Sequence, residues 1–401
     1  MRAVNSFPLR RYLAVVLLEG YAILLALTQS ISGVKTDEAK YLLDIPYPHP
    51  PLLRFIMGLT EPLPFQELFW RLLLATLLVQ AVWIVADLAR EWHGEKRITL
   101  CVMWLTAGSL MFQAGSIMMA PVTALQGLVF VWLLLKSDQR SAISGPLGWI
   151  ALFWLASLFT AYQAILYLPI VWMIFRNAKM SPAKSALAVG VPVALVALYV
   201  LQNPLAIGSF MSAGGQNAGI VVTERISTVV TAWLACGSVV LSFTGLYGMV
   251  RGRSVALSLS FLLVCAFLCV SYRGYYPILF LPLLIAGVAI FPESLRRVHA
   301  ILALQIVFAA LLLAQTPLSI SPSPARRVME TVNTLPGGGD VLIQGNFGHE
   351  WQYESTAPVL RFRTALVSKA KAAVCLVSCP EVSHYGFYQV GNLPEEVWIR
   401  K

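Results

Sequence analysis

Charged residues are scarce in this chain, and that shortage excludes most classes of protein. Only 12% of its 401 residues are Asp, Glu, Lys or Arg, about half the share of a soluble globular protein. Hydrophobic residues make up 58% of the chain, and the mean hydropathy is +0.73. This composition excludes a soluble enzyme, a disordered protein and a coiled coil, and six cysteines are too few for a disulfide-rich secreted domain. The remaining class is a polytopic membrane protein, which the long apolar runs also indicate.

The charges that are present are concentrated near the C-terminus. From Ile320 onwards lie 8 of the 29 basic and 7 of the 19 acidic residues, an ordinary soluble composition. We therefore predict a transmembrane domain over 1–319 and a small water-facing domain over 320–401. Within the latter, the patterns predict a helix over Ala325–Leu335 and strands over Asp340–Gln344 and Ala373–Val377, which together indicate an α/β domain.

Apolar windows predict about eleven transmembrane helices and their orientation. With the N-terminus inside, the cytoplasmic segments collect fifteen basic residues and the outer loops of the membrane domain collect six. This asymmetry is typical of a multi-pass protein of the cytoplasmic (inner) membrane, with the C-terminal domain outside or periplasmic. The net charge of +10 is then explained by membrane orientation, and no nucleic-acid partner is needed to explain it. The predicted spans are 12–31, 68–89, 98–114, 118–135, 147–160, 162–175, 184–202, 226–250, 254–271, 275–291 and 299–317.

The first outer loop, 32–67, is too long for a simple connector, so we expect it to be structured. It carries two adjacent carboxylates, Asp37 and Glu38, which are costly near a membrane unless solvated, paired or metal-bound. On a helix their side chains diverge by about 100°, so that one can face a cavity while the other takes a structural partner. The alternative is a solvated loop in which Thr36 or Asp37 caps a short helix.

Two short motifs in this loop resemble the GT-C integral-membrane glycosyltransferases, in the branch of the protein O-mannosyltransferases and the lipid A aminoarabinose transferases. Residues 37–41 read Asp-Glu-Ala-Lys-Tyr and residues 49–52 read His-Pro-Pro-Leu, similar to the family's Asp-Glu-x-x-Tyr and Lys/His-Pro-Pro-Leu. The order of spans, long first outer loop and outer C-terminal domain also matches. The resemblance implies transfer of a sugar from a polyprenyl-phosphate donor, with inversion by direct displacement, to a glycan, lipid or protein acceptor at the outer membrane face.

Such a transfer needs a base for the acceptor hydroxyl and cations or hydrogen-bond donors for the phosphate. We expect Asp37 to be the base, with Glu38 as runner-up or as an orienting partner. The segment 271–277 resembles the family's Arg-Tyr-x-x-x-Pro element near the donor phosphate, although an aromatic belt with an outlying arginine gives the same pattern. The expected donor and phosphate residues are Lys40, Tyr41, His49, Arg54, Arg273, Tyr275 and Tyr276.

Residues 158–163 resemble a third family element, a Ser/Thr-Lys-Tyr turn, and give Tyr162 and Gln163 as sugar or acceptor contacts. Departures accompany this match: Ala161 replaces the expected Lys, and Met118 and Met119 stand where the family often has an Asp. With so few carboxylates we expect no metal and no other cofactor, although a divalent metal stays open. The departures also leave open a transporter or flippase of a lipid-linked sugar, or a non-catalytic binder.

Two further features leave alternatives open. Glu19 lies inside the first predicted span, where an acid is either functional or held by a hydrogen bond between helices. Cys375 and Cys379 lie in the outer domain, where a disulfide is allowed but requires a turn between them.

Overall fold

The computed structural model describes residues 7–45, 49–92, 94–137, 147–208, 221–315, 322–335, 338–345, 347–377, 382–390 and 396–400. The chain forms two compact units. Unit 1 comprises Met1–Leu27, Tyr47–Thr60 and Leu68–Pro317. Unit 2 comprises Leu318–Lys401 together with Thr28–Pro46 and Glu61–Glu67, two stretches that the sequence analysis grouped with the membrane domain.

Apolar helices build unit 1, as the runs of apolar residues predicted. Among the described residues, five helices are long and apolar enough to cross a membrane, or six if one bent pair counts as a single span. Three shorter apolar helices accompany them, at Leu147–Thr160, Val255–Val270 and Tyr276–Ile290. The protein is thus an α-helical multi-pass membrane protein, and the number of eleven spans stays a prediction. The α-helices that lie wholly or mainly in unit 1 are Phe7–Ser32, Pro51–Gly58, Gln66–Gln80, Val82–Leu88, Gly94–Leu105, Gly108–Gln113, Met119–Ser137, Leu147–Thr160, Leu168–Asn177, Pro182–Gln202, Val222–Cys236, Val240–Arg251, Val255–Val270, Leu281–Ile290 and Val298–Gln315.

Several of the predicted spans are not continuous α-helices. The predicted span 226–250 breaks into Val222–Cys236 and Val240–Arg251, which meet at 101°. At the break, Ser238 and Val239 adopt φ values of 56° and 66°, in the left-handed region that cannot continue an α-helix. The predicted span 98–114 is likewise divided, since one helix ends at Leu105 and the next begins at Gly108.

Gln305 satisfies backbone groups that these breaks expose. Its amide oxygen accepts the N–H of Leu241 at 3.1 Å, and its amide nitrogen donates to the carbonyl of Gly237 at 3.3 Å and to the hydroxyl of Thr106 at 3.2 Å. Irregular backbone inside a membrane protein requires such internal partners, because lipid supplies none. Every polar atom of this buried amide group therefore has a structural use.

Glycines allow two helices of unit 1 to pack backbone against backbone. Helices Val240–Arg251 and Leu281–Ile290 approach so closely that a Cβ added at Gly248 would lie 2.0 Å from the carbonyl oxygen of Gly287. A Cβ at Gly245 would likewise lie 2.6 Å from the carbonyl oxygen of Leu284. Small residues at a helix interface are a common packing device in membranes, because close backbone approach maximises van der Waals contact.

The acid in the first span has a structural partner. Glu19 accepts hydrogen bonds from Thr76 at 3.0 Å and from Gln80 at 2.7 Å, both on helix Gln66–Gln80. Of the two alternatives left open by the sequence, the hydrogen bond between helices is the one observed.

In the described part of unit 2, five strands form one sheet: β1 Asp340–Gln344, β2 Val359–Arg361, β3 Ala370–Cys375, β4 Phe387–Val390 and β5 Glu396–Arg400. Their order across the sheet is β2-β1-β3-β5-β4. The strands β1 and β2 and the strands β1 and β3 pair in parallel, whereas β3 with β5 and β4 with β5 pair antiparallel. The predicted helix and first strand are confirmed, and the predicted second strand begins three residues earlier, at Ala370. The described α-helices of the unit are Thr36–Leu42, Pro324–Asn333 and Glu350–Glu354.

This α/β unit has two buried hydrophobic clusters, one of which lies between the sheet and helix Pro324–Asn333. Val328 from that helix, Trp351, Val341 and Val374 belong to one buried cluster. Cys375, at the end of β3, is disulfide-bonded, and Cys379 lies outside the described residues.

Candidate functional site

The helix Thr36–Leu42, called the acidic helix below, carries both predicted catalytic carboxylates and belongs to unit 2. Glu38 is fully buried, and its carboxylate accepts the backbone N–H of Lys35 at 2.9 Å. Such a contact satisfies one of the backbone donors left free at a helix start. Of the two adjacent acids, Glu38 is thus the buried one, and it bonds the backbone at the start of the helix.

Asp37 has a different environment. Its side chain is 25% exposed, and the ammonium of Lys40, one turn later, lies 2.8 Å from its carboxylate oxygen Oδ1. Lys40 is itself only 18% exposed. The structure therefore brings two predicted site residues together, because Lys40 forms an ion pair with the carboxylate of Asp37. Asp37 is also more accessible than Glu38. Tyr41, the remaining predicted site residue on this helix, is buried.

Hydrogen bonds within unit 2 tie the acidic helix and its flanks to the C-terminal residues. The hydroxyl of Thr36, the first residue of the helix, donates to the carboxylate of Glu350. The carbonyl of Ser32 accepts the backbone N–H of Ser323 at 3.0 Å. The acidic helix is thus held by residues that lie about 300 positions away in the sequence.

Arg326 is the centre of the second set of contacts. Its guanidinium lies 3.0 Å from the carboxylate of Glu67 and 3.0 Å from that of Glu354, and it donates to the carbonyl of Ser30. Burial lowers the pKa of Arg326, but the hydrogen bonds and charges of Glu354 and Glu67 outweigh burial, so that the pKa is raised. Sequence reasoning missed this cluster because its members are polar residues in three separate segments.

A cleft of about 390 Å³ lies beside the acidic helix in unit 2. Its lining is mainly apolar and includes the exposed Lys35 at the start of the helix. The lining residues are Val34, Lys35, Thr36, Ser323, Pro324, Ala325, Glu350, Trp351 and Leu376.

Most of the other predicted site residues belong to unit 1, around residues 271–276, called the Arg273 loop below. The loop follows helix Val255–Val270, and the side chain of Arg273 is exposed. Tyr275 and Tyr276 contact each other edge to face, with their ring centroids 4.7 Å apart. The amide nitrogen of Gln163 donates to the hydroxyl of Tyr276 at 3.1 Å. Two predicted residues from segments 113 positions apart therefore meet.

The remaining predicted residues occupy two other segments of unit 1. Tyr162 is half-buried at the start of a short 3₁₀ helix, next to Gln163. His49 is half-buried just before helix Pro51–Gly58, and Arg54 is half-buried on that helix. Over the described ranges no three His, Cys, Asp or Glu side chains cluster as metal ligands would. The expectation that no metal is needed stays a prediction.

Two buried polar residues of unit 1 were not predicted as site residues. Gln113 is buried, and its amide nitrogen donates to the carbonyl of Gly274 at 3.4 Å. Arg71, counted in the sequence only as a charge that sets orientation, is fully buried and donates to the carbonyl of Gly115 at 3.0 Å. An arginine inside an apolar span is itself a signal of a special role, whereas a neutral glutamine in such a span is a weaker one.

Comparison with known proteins identifies the fold. No family model matches the sequence, and no curated protein matches it significantly. Among solved structures, ArnT from Cupriavidus metallidurans bound to undecaprenyl phosphate matches with a TM-score of 0.65 at 12% identity, over 96% of this chain and 97% of that chain. The same protein in the apo state matches with a TM-score of 0.62 at 13% identity, over 97% of this chain and 98% of that chain.

At these identities the match concerns the fold. It extends over both units and leaves little of either chain unmatched. The chain therefore has the membrane fold of ArnT, in agreement with the predicted fold of many apolar helices with a small α/β domain.

Proposed function

We propose that this protein transfers a sugar from a polyprenyl-phosphate donor to an acceptor hydroxyl at the outer face of the cytoplasmic membrane. The observation that carries the proposal is the environment of Asp37. One carboxylate of the acidic pair is buried in a helix cap, and the other is partly exposed and held by a lysine. The shared fold supports the donor class, since ArnT was solved with undecaprenyl phosphate bound.

The proposed reaction requires one proton transfer and one displacement. Asp37 accepts the proton of the acceptor hydroxyl while the oxygen attacks the anomeric carbon of the donor sugar. The bond between that carbon and the phosphate oxygen breaks, and polyprenyl phosphate leaves with the bonding electrons. Attack opposite the leaving group inverts the anomeric centre. A positioned base contributes typically 10²–10⁴-fold to such a step.

The leaving phosphate needs positive charge or hydrogen-bond donors around it. Arg273 suits this role because its guanidinium can grip two phosphate oxygens at once, and its side chain is exposed on the Arg273 loop. His49 and Arg54 are the further cations proposed for the donor, with Tyr41, Tyr275 and Tyr276 beside them. Tyr162 and Gln163 are proposed for the sugar or the acceptor, which is a glycan, lipid or protein.

The test of this function is an assay of purified protein with a panel of undecaprenyl-phosphate sugars. Wild-type protein should turn over at least one donor, and Asp37→Asn should lose at least 10²-fold in kcat while still binding undecaprenyl phosphate. Glu38→Gln is the matched control. It should retain more turnover than Asp37→Asn and lower the melting temperature more, because Glu38 is buried in the helix cap.

Three results would contradict the proposal in different ways. Robust turnover by Asp37→Asn would show that Asp37 is not the catalytic base. Binding without turnover of any donor favours a non-catalytic binder. Movement of a lipid-linked sugar across vesicle membranes without transfer favours a flippase.

The orientation of the chain is part of this proposal. The basic residues favour a cytoplasmic N-terminus and an outer C-terminal domain, which would place the acidic helix at the outer face. A cysteine introduced at the exposed Ser383 in the C-terminal domain should react with a membrane-impermeant maleimide in spheroplasts. Labelling only after membrane disruption would reverse the proposed orientation.

A further inference from the structure

Two buried glutamines of unit 1 have the same pattern of hydrogen bonds. Gln113 is 7% exposed and Gln163 is 8% exposed. The amide nitrogen of each donates a hydrogen bond to the Arg273 loop. Gln113 donates to the carbonyl of Gly274, and Gln163 donates to the hydroxyl of Tyr276. Within the described part of the chain, the amide oxygen of each has no hydrogen-bond partner.

Leaving a buried acceptor unsatisfied is unfavourable, so two such atoms beside one loop require an explanation. The buried amide of Gln305 is different, because its oxygen and its nitrogen both have partners within the fold. The amide oxygen of Gln305 accepts a hydrogen bond, whereas the amide oxygens of Gln113 and Gln163 have no donor among the described residues.

The chemistry of the missing group follows from the acceptors. An amide oxygen takes hydrogen bonds from O–H or N–H groups. The phosphate of the proposed donor is ionised and offers mainly acceptors, and its polyprenyl tail offers neither donors nor acceptors. The sugar is the part of the donor that carries several hydroxyl donors.

We infer that Gln113 and Gln163 accept hydrogen bonds from hydroxyl groups of the donor sugar. This inference rests on the proposed function, adds Gln113 to it as a sugar-binding residue, and assigns Gln163 to the sugar and not to the acceptor. Gln113 comes from the end of helix Gly108–Gln113, and Gln163 from the 3₁₀ helix Tyr162–Tyr167. Because both residues bond the loop that carries Arg273, the sugar would lie beside the group proposed to hold its phosphate. Site-directed changes at these two positions should therefore alter recognition of the sugar without altering recognition of the phosphate.

The experiment compares two lipids that differ only in the sugar. The affinities of undecaprenyl phosphate and of undecaprenyl phosphate carrying glucose, mannose or a 4-amino pentose are measured for wild type, Gln113→Met and Gln163→Met. Methionine keeps the length of the side chain and removes its amide. Each variant should weaken binding of the preferred sugar-bearing lipid by about three- to tenfold and should leave the affinity for undecaprenyl phosphate within about twofold of wild type.

Gln305→Met is the matched control. It removes a buried amide whose atoms all have partners, so it should lower the melting temperature and leave the ratio of the two affinities unchanged. Equal weakening of both lipids by Gln113→Met and Gln163→Met, or no weakening of either, would overturn the inference. The inference would also be overturned if wild-type protein bound undecaprenyl phosphate and bound none of the sugar-bearing lipids more tightly. That result would not contradict binding of the lipid phosphate. Failure of wild type to bind undecaprenyl phosphate at all would instead contradict the proposed function, and the inference with it.

Discussion

The guanidinium of Arg326 lies 3.0 Å from the carboxylate of Glu67, although 259 positions separate the two residues in the sequence. The same guanidinium binds the carboxylate of Glu354 and the carbonyl of Ser30, the latter near the end of the helix that precedes the acidic helix. One arginine of the C-terminal segment therefore joins three separate stretches of unit 2. Because the acidic helix begins six residues after Ser30, this cluster has a direct bearing on how firmly Asp37 is held.

Replacing Arg326 by Gln should destabilise the protein. Two carboxylates would lose their shared cation, and removing one partner of a largely buried ion pair costs up to about 3–5 kcal/mol, with a smaller loss where solvent screens the charges. The melting temperature in detergent should fall. Arg326→Lys should lower the melting temperature by an intermediate amount, since lysine keeps the charge but loses the planar fork of hydrogen-bond donors. Arg327→Gln, the adjacent arginine outside this cluster, is the control and should change the melting temperature less.

The pH dependence of this effect follows from the raised pKa of Arg326. A basic group whose pKa is higher in the folded state contributes its full stabilisation below its unfolded pKa and loses it only as the pH rises through the folded value. For an arginine that window lies far above neutral pH. The difference in melting temperature between wild type and Arg326→Gln, as far as it depends on the arginine, should therefore be the same at about pH 7 and about pH 9. A difference that shrinks markedly over this range would contradict the assignment.

The second prediction concerns the glycine contact in unit 1. Gly248→Ala would place a methyl group 2.0 Å from the carbonyl oxygen of Gly287, which is backbone and cannot turn aside. Overpacking of this kind costs about 1–3 kcal/mol, so the melting temperature should fall. Gly190→Ala is the control, because it lies inside helix Pro182–Gln202 with no atom within 4 Å of the added carbon. It should be neutral or stabilising, since alanine favours a helix more than glycine does.

Much of this architecture could be predicted from composition and short motifs. The apolar runs predicted a polytopic helical protein because lipid requires them, and the change in charge near residue 320 predicted the α/β segment. The carboxylates of Asp37 and Glu38 were expected to take different environments because adjacent helical side chains diverge. The first strand of the sheet, Asp340–Gln344, was predicted with its observed bounds.

Other features could not be predicted, for identifiable physical reasons. Val239 adopts a left-handed conformation that its β-branched side chain disfavours, so nothing local predicted the break in the span 226–250. The contact between Arg326 and Glu67 depends on tertiary structure and has no local pattern. Gln113 sits in an apolar run, where a single neutral amide hardly changes the hydropathy, and its significance lies in an unpaired oxygen that only coordinates reveal.

A third prediction tests the proposed phosphate site. Arg273→Ala should weaken binding of undecaprenyl phosphate by about 10- to 100-fold, the expected effect of losing a hydrogen bond to a charged group. Arg273→Lys should recover part of the loss, because it restores the charge without the bidentate geometry. Arg253→Ala, an exposed arginine on the predicted cytoplasmic side, should leave the affinity unchanged. Equal affinities for Arg273→Ala and wild type would exclude Arg273 from the phosphate site.

The last prediction separates two roles for Lys40, which the sequence motif associates with phosphate and the structure pairs with Asp37 at 2.8 Å. If its main partner is the carboxylate, Lys40→Met should lower kcat by about tenfold or more, because the proposed base loses the cation that orients it, while the affinity for undecaprenyl phosphate changes by less than about threefold. Lys40→Arg should recover part of the turnover, since it restores the charge. A phosphate role would give the opposite pattern, with the affinity for undecaprenyl phosphate falling more than kcat. Measuring both quantities on the same three proteins decides between the two roles, and a variant without effect on either would show that the ion pair is only a surface contact of the acidic helix.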